Sequence, residues 1–235
     1  MEKIADIYAK KIKSAIAKHM GNQESLVIGR INASKKNYQD WLFDIKPESE
    51  KLAEILTPII IELMKAEGED VTHFVTGELL VISPEIRQDV EQKILKLSGV
   101  YNEETIKALE NTLAEGQKQG ESLVKLKKRV ESVYSDAKGY RAQRIALTES
   151  HRAANTSAEL VYKQSGYTKS EWYVNPGACQ FCLTLMAQPK TIGTDFLKKG
   201  DTITGTEGGV MTIDYDDVAV PPLHPNCKCS LVPGK

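Results

Sequence analysis

Aromatic residues are sparse, cysteines few and net charge all but missing, and each shortage narrows what the chain can be. Lys and Arg number 31 against 32 Asp and Glu, a formal net charge of −1. That balance excludes a surface built throughout as an electrostatic trap for nucleic acid, so any DNA contact has to be local. No long apolar run occurs. The longest lies around Ile59-Ile60-Ile61, far short of the roughly 20 residues a membrane-spanning helix needs. The first residues, Met1-Glu2-Lys3-Ile4-Ala5-Asp6, are charged and carry no apolar h-region, so a soluble, intracellular protein with no membrane partner is expected. What is present is ordinary: an apolar fraction of 41% over 235 residues allows one or two domains whose core forms without help from a metal.

The few cysteines are not scattered. All four lie in two short clusters, Cys179-Gln180-Phe181-Cys182 and His224-Pro225-Asn226-Cys227-Lys228-Cys229. A Cys-x-x-Cys turn presents two thiolates to one side of a bend, and His224-x-x-Cys227 repeats the spacing with an imidazole, so the two turns can close a tetrahedron around Zn²⁺. Five candidates compete for four positions. Cys179, Cys182, His224 and Cys227 are favoured because Pro225 stiffens the second turn. Cys227 and Cys229 would nevertheless point to the same side of an extended strand, which leaves Cys229 as the alternative fourth ligand and His224 or Cys229 as the spare. A disulfide, or buried thiols acting as small apolar residues, are the competing readings.

The rest of the chain is mostly helical in pattern. Ile7, Tyr8, Ile12, Ala15, Ile16 and His19 recur at helical spacing, with Gly21 placed to stop the helix. Residues 24–45 are less periodic and read as a second helix or a packed loop. Pro47 opens another helix carrying Leu52, Ile55, Leu56, Ile59, Ile60 and Leu63, which Pro58 should kink and Gly68 should end. Ser83-Pro84-Glu85 is a helix start, Ser98-Gly99 a joint, Asn102 and Ser122 further caps, and Gly116 and Gly120 punctuation. Lys125 to Arg129 is the densest basic run, either a solvated helix face or a phosphate contact. A longer helix from about Gly139 to Gln164 bears a polar stripe that includes Arg144, Thr148 and Asn155, with Glu149 beside it. Beyond Gly166 the pattern turns to β: Ser170 to Val174 reads as a strand, Asn175-Pro176-Gly177 as a turn, and Asp201 to Thr204 and Val210 to Ile213 as strands joined through Gly205 to Gly209. The expected fold class is therefore α+β, a helical N-terminal and central part followed by a small zinc-stapled β unit. Two domains are expected, 1–98 as a helical attachment segment and 99–235 with helices to about 165 and the metal site in 166–235.

One ordered set of residues goes further. Arg141, Ala142, Arg144, Ile145, Ala146, Thr148 and Glu149, then Asn155, Gly166 and Trp172, then Cys179-x-x-Cys182 and Pro221-Pro222-x-His224-Pro225-Asn226-Cys227-Lys228-Cys229-x-Leu231 resemble the phage head morphogenesis family, the minor head proteins similar to protein F of phage Mu. The resemblance covers roughly Asn102 to the C-terminus. It implies a virion protein without enzymatic activity, present in few copies inside the head and in the host cytoplasm during assembly. It also implies work near the portal in capsid assembly, DNA packaging or ejection, with portal and head proteins as partners. Many members carry an acidic residue and an Arg just before the first Cys turn; here that place reads Asn175-Pro176-Gly177-Ala178, so no role of that pair carries over. The short tail after Cys229 is expected to leave no room for a C-terminal toxin domain.

Two other classes compete. Zinc deaminases place His-x-Glu on one helix and Pro-Cys-x-x-Cys on the next; here Glu149-Ser150-His151 runs in the reverse order and Pro176 lies three residues before Cys179. Compact zinc ribbons and fingers separate their ligand pairs by about 12–20 residues, and the stretch from Cys182 to His224 is longer. A closed structural site with weak, salt-sensitive DNA contact at most is the expectation.

Overall fold

A computed structural model describes residues 2–33, 37–75, 77 and 79–234, with the backbone alone at 2 and 3. Helices dominate and a small antiparallel sheet follows them, so the fold is α+β. Among the described residues no helix is long and apolar enough to cross a membrane.

The elements in chain order are α1 (Glu2–Ala33), a 3₁₀ turn (Tyr38–Trp41), α2 (Ile45–Val75), α3 (Pro84–Lys118), α4 (Leu123–Asp136), a π-helical turn (Ala137–Arg141) and α5 (Ala142–Gln164). Then come β1 (Lys169–Tyr173), α6 (Gln180–Leu185), β2 (Pro189–Thr191), β3 (Thr202–Thr204), β4 (Val210–Thr212) and β5 (Ser230–Pro233). They form two compact units, each discontinuous in sequence. One comprises Lys10–Ile59 and Ser83–Gln143; the other Met1–Ala9, Ile60–Ile82 and Arg144–Lys235.

The first unit is helical. Ile12, Ile16, Met20, Val27 and Ile31 place one buried face along α1, and because that stripe continues past Gly21 the helix does too. A mid-helix glycine costs about 1 kcal/mol relative to alanine, which a continuous apolar face outweighs. The same physics removes the joint expected at Ser98-Gly99: both lie inside α3, where Val90, Ile94, Tyr101, Ile106, Leu109 and Leu113 bury one side without a break. Asn102, expected to cap a helix, is fully buried in that interior, receives a hydrogen bond from Gln23 (2.9 Å) and donates one to Ser49 (3.1 Å). The start of α3 is as its sequence dictates, with the Ser83 hydroxyl accepting from the Ile86 amide and Pro84 in the first turn. Ser122 caps α4 in the same way. Of the basic run, Arg129 is paired with Glu121 (Nε to Oε2 2.6 Å, Nη2 to Oε1 3.0 Å), while Lys125 and Lys128 are exposed.

The second unit holds the β structure. β1 lies between β2 and β5, antiparallel to both, with Trp172 opposite Leu231; β3 and β4 form a separate hairpin. Val71 of α2 and Ala158, Val161 and Tyr162 of α5 pack with Val220 and Leu231 in one cluster. The Ser157 hydroxyl donates to the Met64 carbonyl at 2.5 Å. Gly68, expected to end α2, lies inside it for a steric reason: a Cβ there would meet the Leu80 Cβ at 2.7 Å. The glycine lets Leu80 lie against the helix. Glu67, one residue earlier, is fully buried, and burial pushes its carboxyl up to about 7.

Candidate metal centre

The two ligand clusters of the sequence meet in the second unit. β1 leads through a turn at Pro176-Gly177, with Gly177 at φ 82°, to Cys179, which is the N-cap of α6. Cys182 lies one turn into that short helix. The second cluster follows Pro221-Pro222, joined by a cis bond, and turns at Asn226, whose positive φ of 62° suits an asparagine. The Cys227 amide donates to the His224 carbonyl at 3.1 Å and closes this turn. Trp172, Leu185, Ile203, Ile213, Val218 and Leu223 pack around Cys182, Cys227 and Cys229, and Trp172 meets Phe196 edge-on, 5.1 Å between ring centroids.

Five soft donors converge. Cys179 Sγ lies 3.1 Å and Cys182 Sγ 3.6 Å from His224 Nε2, and the sulfurs of Cys182 and Cys227 are 3.6 Å apart. Cys179, Cys182 and His224 form one group with donor atoms within 4.8 Å of one another; Cys182, Cys227 and Cys229 form another. Cys182 belongs to both. A tetrahedral ion with metal–sulfur bonds of about 2.3 Å and metal–nitrogen bonds of about 2.0 Å sets its donors roughly 3.5–3.8 Å apart. The two separations of 3.6 Å fit that cage and the one of 3.1 Å is shorter, and the cluster can hold a metal ion. All four thiols are free of disulfides.

The electrostatics suit thiolate ligands. Burial raises the Cys179 thiol, but the amides of Cys182 and Phe181 at the head of α6 and the charge of His224 outweigh it and bring it below its ordinary value. Among the three buried thiols the negative charge settles on Cys227, which accepts from its two sulfur neighbours and from the amides of Cys229 and Leu223; Cys182 is correspondingly pushed up. Burial lowers His224, yet the Pro225 carbonyl and the charges on Cys227 and Cys179 hold it above its ordinary value. His224 Nδ1 is 2.9 Å from that carbonyl. A proton on Nδ1 leaves the Nε2 lone pair aimed at the sulfurs, the arrangement that orients metal-binding histidines.

Helix α5 holds the second cluster in place. Asn155 is buried at 2% exposure. Its Nδ2 donates to the carbonyls of His151 (2.9 Å), Pro221 (3.2 Å) and Cys229 (3.1 Å), and its Oδ1 accepts from the Leu231 amide at 2.7 Å. The Tyr162 hydroxyl donates to the Leu231 carbonyl at 3.1 Å, so α5 satisfies the outward-facing backbone of β5 that would otherwise be an open edge. Thr148, buried on the same helix, donates to the Arg144 carbonyl at 2.8 Å and accepts from the Asn226 amide at 3.3 Å. Asn155 and Thr148 thus reach the metal cluster. Glu149 pairs with Arg152 on its own helix, Nε to Oε2 3.2 Å, and Arg144 is half-buried.

Sequence reasoning picked out the donors and named Thr148 and Asn155, but it did not find the short elements around them. α6, β2 and β5 are each no more than six residues long, too short for periodicity to register. The Asn155 clamp spans 66 to 76 residues, and in sequence Asn155 showed only as a member of a polar helix stripe and of the ordered motif set. No family model, curated protein or solved structure matches the chain.

Proposed function

We propose that this chain is a non-enzymatic minor head protein of a phage virion, acting near the portal in capsid assembly, DNA packaging or ejection, with a structural Zn²⁺ stapling its β unit. The observation that carries the reading is convergence. Residues scattered through the motif set that resembles the head morphogenesis family, Thr148, Asn155, Trp172, the four cysteines and His224, gather around one centre. Zinc suits the donor set of thiolates and one imidazole. Five donors for four positions fill the coordination sphere with protein ligands, and a filled sphere activates no water; that supports a staple over a catalytic ion. The portal and head proteins are the partners in this reading, the virion interior is the final location and the host cytoplasm the place of assembly. DNA contact is confined to exposed lysines such as Lys125 and Lys128 and is weak and salt-sensitive.

The test is to purify the protein without chelator, measure its metal, and mix it with a portal protein from the same phage genome. One zinc per chain and a complex that survives gel filtration are expected. Absence of zinc defeats the staple, and turnover of a nucleoside or nucleic acid by the zinc form defeats the non-enzymatic assignment.

A further inference from the structure

The two halves of the centre are held by different parts of the fold. Asn155 and Thr148 of α5 fix the backbone of the second cluster. The first is tied to the hairpin of β3 and β4, through a residue that lies between its two cysteines. Gln180 is half-buried, and its side-chain oxygen accepts from the Gly209 amide at 3.1 Å. Its carbonyl accepts from the Thr206 amide at 3.3 Å. The Thr184 hydroxyl, one turn along α6, reaches both that carbonyl (3.2 Å) and the Thr204 carbonyl (2.9 Å). The hairpin has no side chain where Gln180 enters it: a Cβ at Gly205 would come within 2.6 Å of the Gln180 Cγ, and one at Gly209 within 2.9 Å of its Nε2. Ile203 anchors the base of the hairpin in the same core as Cys182, Cys227 and Cys229, whereas Thr206, Glu207 and Gly208 at the tip are exposed.

From this arrangement we infer that Gln180 is the positioning residue of the Cys179 and Cys182 pair, and that the hairpin tip fastened to it is the gate of the metal centre. The tip lifts from Gln180 while Ile203 stays in the core, and the turn that carries Cys179 is then free to swing outward. Elements that open locally in this way are the weakly held ones with exposed hydrogen bonds. Cys179 is the thiol suited to let an ion in or out, because it is half-buried while Cys182, Cys227 and Cys229 are buried. The half of the centre held by Asn155 stays closed throughout. A gate changes the rates of loading and release together and leaves their ratio nearly constant, which a contact that merely stabilises the fold does not do. This inference rests on the reading of the cluster as a structural metal site.

Two measurements on the zinc-loaded protein separate these cases: the rate of zinc transfer to a saturating chromophoric chelator, and the affinity from equilibrium competition with the same chelator. Gln180→Ala removes the acceptor for the Gly209 amide and should speed release about tenfold while changing affinity by less than about threefold. Gln180→Glu keeps an oxygen for that amide and should release zinc at the wild-type rate. Gly205→Ala displaces the Gln180 side chain from the other direction and should speed release likewise, so it serves should Gln180→Ala misfold. In the Gln180→Ala background, where the space is already free, it should add less than about twofold. Unchanged release in Gln180→Ala, an affinity that falls by the same factor as release rises, or Gln180→Glu as fast as Gln180→Ala overturns the gate. Wild-type protein that holds no zinc overturns the metal centre itself, a result distinct from those three.

Discussion

Replacing Asn155 by alanine removes one side chain and strands three backbone groups. The carbonyls of Pro221 and Cys229 and the amide of Leu231 all lose their partner, because Leu231 faces α5 and not β1 with its hydrogen-bonding groups. A buried polar group left without a partner costs about 1–3 kcal/mol. Allowing for some water entry beside half-buried Ser230, the total is about 3–5 kcal/mol, a large share of the roughly 5–15 kcal/mol that holds a typical domain folded. Asn155→Asp should be at least as costly at neutral pH. Its one oxygen still accepts from Leu231, but the other faces carbonyl oxygens where an N–H donated before. The assay is favoured by the tryptophans: the chain has two, Trp41 in the first unit and Trp172 in the second, both fully buried. In a Trp41→Phe background, fluorescence reports the second unit alone. Urea midpoint by that signal, and the rate of zinc transfer to a chromophoric chelator, should both change in Asn155→Ala, with most helical circular dichroism retained. A midpoint shift equivalent to less than about 0.5 kcal/mol, the level of an ordinary surface change, together with an unchanged transfer rate, would refute the clamp.

Other expectations can be checked on the same footing. Glu67 has a folded pKa of about 7 against an ordinary 4.5, so the folded state holds a proton that the unfolded state has lost. Its contribution is present below pH 4.5 and is lost as pH rises through 7, on the order of 3 kcal/mol. Glu67→Gln should thus gain stability relative to wild type between pH 5 and pH 8, and a constant difference across that range counts against it. Gly21→Ala meets nothing within 4 Å and should stabilise by about 0.5–1 kcal/mol through helix propensity. Gly68→Ala should destabilise by about 1–2 kcal/mol because its Cβ meets Leu80 at 2.7 Å; equal effects of the two changes in thermal melts would remove the steric explanation. A fragment spanning 102–235 lacks Val71, Val75, Leu80 and the Met64 carbonyl, all of which pack or bond within the second unit. It should melt without cooperativity and hold metal substoichiometrically, and a sharp transition with one bound ion would contradict the assignment of α2 to that unit.

What could be read from the chain was what is local and chemically unusual. Cys179-x-x-Cys182 and His224-x-x-Cys227-x-Cys229 stand out because they hold all four cysteines of the sequence. Ser83-Pro84 and Ser122 announce helix starts through side chains that bond amides three residues on. The hairpin of β3 and β4 follows from glycines at 205, 208 and 209. Glycine misled where its role was long-range. Gly21 and Gly99 are tolerated inside helices whose stripes run on, and Gly68 is there because Leu80 approaches. Asn102 reads in sequence as a helix cap and Asn155 as part of a polar stripe, yet one joins a buried network in the helical unit and the other clamps the backbone at Cys229. Only tertiary partners distinguish them.

The discontinuity of the second unit sets an order of events on the ribosome. Its α2 portion, Ile60–Ile82, is translated early, while Val220, Leu231 and the donors His224 and Cys227 arrive near the end. The segments of the helical unit, Lys10–Ile59 and Ser83–Gln143, are complete well before. At about 5–20 residues per second, the Val71 and Leu80 surface waits on the order of ten seconds for the strands that will cover it. During that wait it is an apolar face on a nascent chain, open to chaperones and to neighbouring polysomes. The donors at 224–229 emerge later than Cys179 and Cys182, so a metal ion held by both clusters would close the unit only after that wait, and its scarcity would then be felt as aggregation during synthesis.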